Sequence, residues 1–183
     1  MKAILLLIGL CAGVATAVAQ QTPPETQEEY EKAYAWRVRQ ETLYGVYIPM
    51  DLAQVFSQLN QLSEAQDRTK FARLPEAKCT TVPFFGLGRW MSVNWGFYGG
   101  SRLTVYLNSM GLTHPDDMTR FLLLMYHRHL NKKPLDPKHF IDELIAARKA
   151  SHTARLLQGE VVDETTRKVP TNGGEVVWGE CVR

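Results

Sequence analysis

Along most of the chain, apolar residues recur three and four positions apart, the spacing of helices that bury one face. From Glu28 to about Leu43, Tyr30, Ala33, Tyr34 and Val38 keep that spacing, and Gly45 and Pro49 interrupt it. Asp51 is placed to cap the next helix, whose stripe is Leu52, Val55, Phe56 and Leu59. Ser63 followed by Gln66 has the spacing of a capping box opening a helix toward Leu74, with Pro75 as its stop. An irregular stretch over 79–83 leads into the densest aromatic region, Phe84 to Gly100, where Leu87, Trp90, Met91 and Trp95 are able to share one helical face. Asn94 and Gly96 then stand where a helix ends in a left-handed turn. Ser101 caps the following helix, with Leu103, Tyr106, Leu107 and Met110 inward and Gly111 at its end. Pro115 fits the first turn of the next, with Asp116 and Asp117 at its positive end and Met118, Phe121, Leu122 and Met125 on its buried face. Asp136-Pro137 starts a last helix with Phe140, Ile141, Leu144 and Ile145 inward, and beyond Ser151 the pattern weakens. Asn172-Gly173, between Arg167-Lys168-Val169 and Glu175-Val176-Val177-Trp178, suits a hairpin; an extended tail is the other reading.

These elements predict an all-α fold, a compact orthogonal bundle of about five or six helices. The N-terminal helix is peripheral, and the C-terminal segment is a small β-hairpin or an extended tail. The expected organisation is 1–19 signal peptide, 20–45 leader and peripheral helix, 46–150 helical domain and 151–183 loosely ordered C-terminal segment.

The signal peptide is read from Lys2, the apolar run Ala3 to Ala12 and the small-x-small pattern Ala17-Val18-Ala19, followed by polar Gln20-Gln21-Thr22. Its apolar core is too short for a permanent span, so the expected protein is exported to the periplasm or secreted, with no membrane span after cleavage. Leu10 stands before Cys11 where lipid attachment wants a small residue, which argues against lipidation. About 160 residues then remain, the size of one domain. Net charge is +2 with the two signs interspersed, which argues against nucleic acid as a partner because phosphate binding needs clustered Lys and Arg. After cleavage, Cys79 and Cys181 form an even pair in an oxidising compartment. A bridge would close a loop of about 100 residues, worth about 4–5 kcal/mol in the chain-entropy model. Two free thiols are the competing reading.

Gly86-Leu87-Gly88-x-Trp90, then Asn94-Trp95-Gly96, Gly99-Gly100-Ser101-x-Leu103 and His114-Pro115-Asp116-Asp117-Met118 resemble, as an ordered set, a family of small bacterial helical domains of unknown function. The resemblance covers roughly Tyr47 to Pro134. In that family an arginine often precedes the asparagine; here Val93 does, and Arg89 is the nearest arginine. The resemblance implies a helical fold and a bacterial origin, and no activity.

No metal or cofactor is expected. His127 and His129 lie two apart on one helix, on opposite sides, and Asp116 and Asp117 are explained by the helix start. Ser101 follows two glycines but lacks the G-x-S-x-G elbow, and Gly86-x-Gly88 lacks the third glycine of a dinucleotide fingerprint. The residues singled out for binding are Tyr98, Arg102, Trp95, Asn94 and Arg89, with Trp90 as a core residue beside them. Aromatic rings give contact area at low entropic cost, and arginine engages carboxylates bidentately. The expected function is a non-enzymatic binding module for an envelope protein or cell-wall component, and the competing class is a small envelope hydrolase acting on cell-wall material.

Overall fold

The computed structural model describes residues 24–158 together with two short strands, Lys168–Pro170 and Val176–Trp178. The expected signal peptide, Cys181 and the Asn172-Gly173 turn lie outside the described residues. Seven α-helices carry the described fold, which is mainly helical as expected.

Helix α1, Gln27–Arg37, opens on a full capping box, with the Glu29 amide donating to Thr26 Oγ1 at 3.2 Å and the Thr26 amide to Glu29 Oε2 at 3.4 Å. It stops well short of Leu43. Strands β1, Thr42–Leu43, and β2, Val46–Tyr47, pair antiparallel across Tyr44 and Gly45, both at positive φ, 51° and 81°. That two-residue turn matches the twist of a hairpin and takes over what helical periodicity alone assigned to helix.

Asp51 caps α2, Leu52–Leu62, its Oδ1 accepting from the Gln54 amide at 2.8 Å. The capping box expected at Ser63 does not form. Ser63 Oγ turns back to donate to the Leu59 carbonyl at 2.5 Å, and α3, Ala65–Ala72, begins after Glu64. Pro75 leads into a 3₁₀ turn, Glu76–Lys78.

The aromatic region begins as a π-helical turn, Phe84–Gly88, in which the Gly88 amide reaches five residues back to the Pro83 carbonyl at 3.0 Å. It runs directly into α4, Arg89–Asn94, which ends as expected with Gly96 at φ 68°. Ser101 caps α5, Arg102–Ser109, through reciprocal bonds with Thr104. Helix α6, Pro115–Leu130, has Pro115 in its first turn, and α7, Pro137–Gln158, runs past the residue where the apolar pattern fades. The terminal strands, β3 (Lys168–Pro170) and β4 (Val176–Trp178), pair antiparallel, Val169 opposite Val177. Of the two readings of the tail, the hairpin is the one that forms.

The hub is α6. Met118, Phe121, Leu122, Leu123, Met125 and Tyr126 are buried on more than one face, against α2, α3, α4, the π-turn and α7. A helix apolar on several sides belongs at the centre of a core rather than on its rim. The π-turn approaches α6 so closely that a Cβ on Gly88 would lie 2.8 Å from Thr119 Cγ2, which is why glycine stands there.

Candidate functional site

The residues singled out from sequence divide sharply by exposure. Trp95 is fully buried, edge-on to Trp90 at 5.8 Å between ring centroids, and so lies beneath the surface. Asn94 is half-buried and its side-chain amide donates to the Trp90 carbonyl at 2.8 Å, closing its own helix. Arg102 is also in use: its Nε donates to the Ile48 carbonyl at 2.7 Å and its guanidinium lies 5.0 Å from the centre of the Tyr47 ring. A looser pair with Glu41, at 3.4 Å, completes its environment. Arg102 thus fastens α5 to the β1–β2 hairpin. Tyr98, 67% exposed, and exposed Arg89 remain open to solvent.

The Gly99-Gly100 turn is covered by the chain itself. Arg37 of α1 donates through Nε to the Gly99 carbonyl at 2.7 Å. The Tyr34 ring lies against Gly100, where a Cβ would come within 2.3 Å of it. Gly100 also has φ 88°, so both backbone and contact call for glycine.

The acid–base side chains form structural pairs. Buried Asp117 receives two bonds from the Arg148 guanidinium, Nη2 to Oδ1 at 2.7 Å and Nε to Oδ2, which ties α7 to the start of α6. Its hydrogen bond to Asp117, and the negative charge there, hold the Arg148 guanidinium above its ordinary value. Glu76 accepts from Lys133 Nζ at 2.6 Å and from Arg128 Nη1, and these cations hold its carboxyl below the usual range. Beside it Cys79 is buried, and burial, with the Glu76 charge second, pushes its thiol up to about 11. Cys79 is a free thiol in this structure. His114 Nδ1 accepts from the Asp116 amide at 3.2 Å as the cap of α6. Buried His127 bonds the Leu74 carbonyl at 2.9 Å, whereas His129 stacks on Phe56 at 4.3 Å. Among the described residues no three His, Cys, Asp or Glu side chains converge as metal ligands.

A cavity of about 160 Å³ opens between the α2–α3 corner, the π-turn and α6. Leu59, Phe71, Leu87 and Tyr126 line it, with Leu62, Asp67 and Arg68 at the edge. Its polar neighbours are already bonded. Tyr126 Oη donates to Asn60 Oδ1 at 2.9 Å, and Arg68 Nη1 donates to the Asn60 carbonyl at 2.9 Å and to that of Ser63. Burial pushes the Tyr126 hydroxyl up from its ordinary value, so it serves as a neutral donor. Large apolar side chains are exposed on the same segments: Leu62 at 54%, Val82 at 61% and Phe85 at 81%. Sequence reading missed this site because its lining comes from three separated stretches. The usable signal was Val82 and Phe85 bracketing Pro83, apolar residues that no helical face absorbs.

Among the described residues no helix is long and apolar enough to cross a membrane. Residues 48–130 match the model of a family described as a domain of unknown function, DUF6794. No curated protein and no solved structure matches the chain.

Proposed function

We propose, from the match of residues 48–130 to that family's model, that the chain is an exported, non-enzymatic binding module. It recognises an envelope protein by taking one apolar side chain into the cavity between α2, α3, the π-turn and α6. The observation that carries this reading is the cavity itself, apolar in its lining, with half-exposed Leu62 in its wall and exposed Val82 and Phe85 on the segment that also supplies Pro83 and Leu87. Exposed apolar residues grouped around a pocket mark interaction surfaces, and π-turns are frequent at functional sites. Size selects the guest. A dry apolar cavity of about 150 Å³ holds one benzene ring, so this one suits a single aromatic or leucine-sized side chain. A glycan strand, polar all round, gains little from such a lining, which favours protein over cell-wall sugar as the partner.

Affinity capture of the tagged mature protein from its native envelope fraction tests the reading. The wild type should retain one protein in stoichiometric amount, and Leu62→Glu combined with Phe85→Ala should reduce its recovery at least ten-fold while the far-UV spectrum stays helical. Capture that is unchanged in the variant removes this surface from the account. Digestion of cell-wall material by the purified protein would move the function to the hydrolase class.

A further inference from the structure

Helix α1 lies outside residues 48–130 and has no fully buried residue; Ala33, Tyr34 and Arg37 are its half-buried ones. It nevertheless sits on the domain at one defined place. Tyr34 lays its ring on Gly100, and Arg37 donates through Nε to the Gly99 carbonyl at 2.7 Å. The two residues are three apart on one helix, so they share a face. The turn is shaped for them: a Cβ on Gly100 would lie 2.3 Å and 2.4 Å from two carbons of the Tyr34 ring, and the Gly99 carbonyl supplies the acceptor that a guanidinium needs. On either side of this contact stand exposed aromatics, Trp36 on the helix and Tyr98 before the turn.

We infer that the Gly99-Gly100 turn is a binding seat for a helix carrying an aromatic residue and an arginine three positions apart. Helix α1 occupies it as a detachable strap that a partner protein's helix of the same pattern displaces. A helix with no fully buried residue, whose half-buried side chains are Ala33 and the two seated ones, opens at smaller cost than the core helices. The strap competes because it is tethered: intramolecular linkage gives it an effective concentration in the millimolar range, which an incoming helix must overcome. Two contact residues outside the domain therefore set the threshold for binding to it. The seat uses residues other than those of the apolar cavity, so it stands or falls independently of the reading above.

The full chain and a fluorescein-labelled peptide copying residues 24–39 provide the test. Tyr34→Ala with Arg37→Ala empties the seat in the full chain without touching the domain. This double variant should bind the peptide at least ten-fold more tightly than the wild type, and should ignore the same peptide with its tyrosine and arginine replaced by alanine. Adding Gly100→Ala to the double variant should abolish binding, since the new methyl occupies the place of the ring. The comparison of double variant with wild type stands without that third change, should it disturb folding. Failure of the double variant to bind the peptide, or equal binding by wild type and double variant, overturns the inference. A concentration-dependent wild-type dimer that the double variant loses would assign the seat to a second copy of the chain, and so overturn the partner-helix form of it.

Discussion

Glu76 holds the 3₁₀ turn against the end of α6 through two cations, Lys133 first and Arg128 second, and they depress its carboxyl below 4.5. A carboxyl depressed on folding contributes stability that is present above its unfolded value and lost as pH falls through its folded one. Wild-type stability should therefore decline below about pH 4.5 by an amount that Glu76→Gln does not share. Chemical denaturation of both proteins at pH 7 and pH 3.5 checks this; a constant difference between them at the two pH values contradicts it. Cys79, next to it, is buried with its thiol raised to about 11, so it is protonated and screened from reagents at neutral pH. Alkylation of the native protein should leave Cys79 unmodified, and unfolding without reductant should expose it. Protection that persists until reductant is added would instead show that it is bridged to Cys181. Single residues also explain why the surroundings of the singled-out side chains were only partly legible. Arginine and asparagine were read as contact groups, but Arg102 bonds the Ile48 carbonyl and Asn94 bonds the Trp90 carbonyl. Backbone carbonyls have no sequence signature, so such partners go unseen. An Arg102→Ala change consequently reports on the α5–hairpin junction rather than on a ligand.

Caps and stops were legible at most elements, the Ser63 box and the end of α1 excepted. Asp51, Ser101, Pro115 and Gly111 all stand where their local chemistry puts them, because a cap is satisfied within three or four residues. The π-turn was not legible, since what stabilises it is the close approach of Gly88 to α6 some thirty residues on. Gly88→Ala should cost about 1–3 kcal/mol through overpacking against Thr119. Thr119→Ser removes the opposing methyl while retaining a hydroxyl, so the double variant should recover most of that loss. A recovery of less than a quarter in the double-mutant cycle would assign the cost of Gly88→Ala to something other than this contact. The apolar period of α7 predicts only an inward stripe of Phe140, Ile141, Leu144 and Ile145. Asp117, read only as a helix-start acid, is its polar anchor, a pairing 31 residues apart that no spacing rule reveals. Arg148→Ala should cost about 1–3 kcal/mol, because it leaves a buried carboxylate short of its donors. It should also speed hydrogen exchange in α7 ahead of α2 or α6; uniform exchange across the three helices would mean that the pair does not fasten α7 separately.

At the scale of the molecule, a mainly helical fold follows from the apolar periods, but α6 as its hub does not: the periods give it one buried face, Met118, Phe121, Leu122 and Met125, and the fold buries Leu123 and Tyr126 as well. The apolar cavity escaped that reading. Its walls come from residues 59–71, residues 83–87 and Tyr126, and only the folded chain brings them together. The aromatic segment drew attention for its composition, yet much of it, Trp95 and Phe97 included, fills the core, and the exposed Phe85 sits at its start. Flanking helices α1 and α7 dock on Gly99-Gly100 and Asp117, two of the motifs through which the family resemblance was first noticed. Motif residues here hold neighbouring elements, and the open surface lies elsewhere.

The most direct measurement is site-specific photo-crosslinking in the native envelope, with the reactive group placed at residue 62 in the wall of the cavity and, as reference, at exposed Val105 on α5. A discrete protein adduct from position 62 and none from position 105 is the expected result. No adduct from position 62, or the same adduct from both positions, would contradict the proposal that the apolar cavity is the binding face.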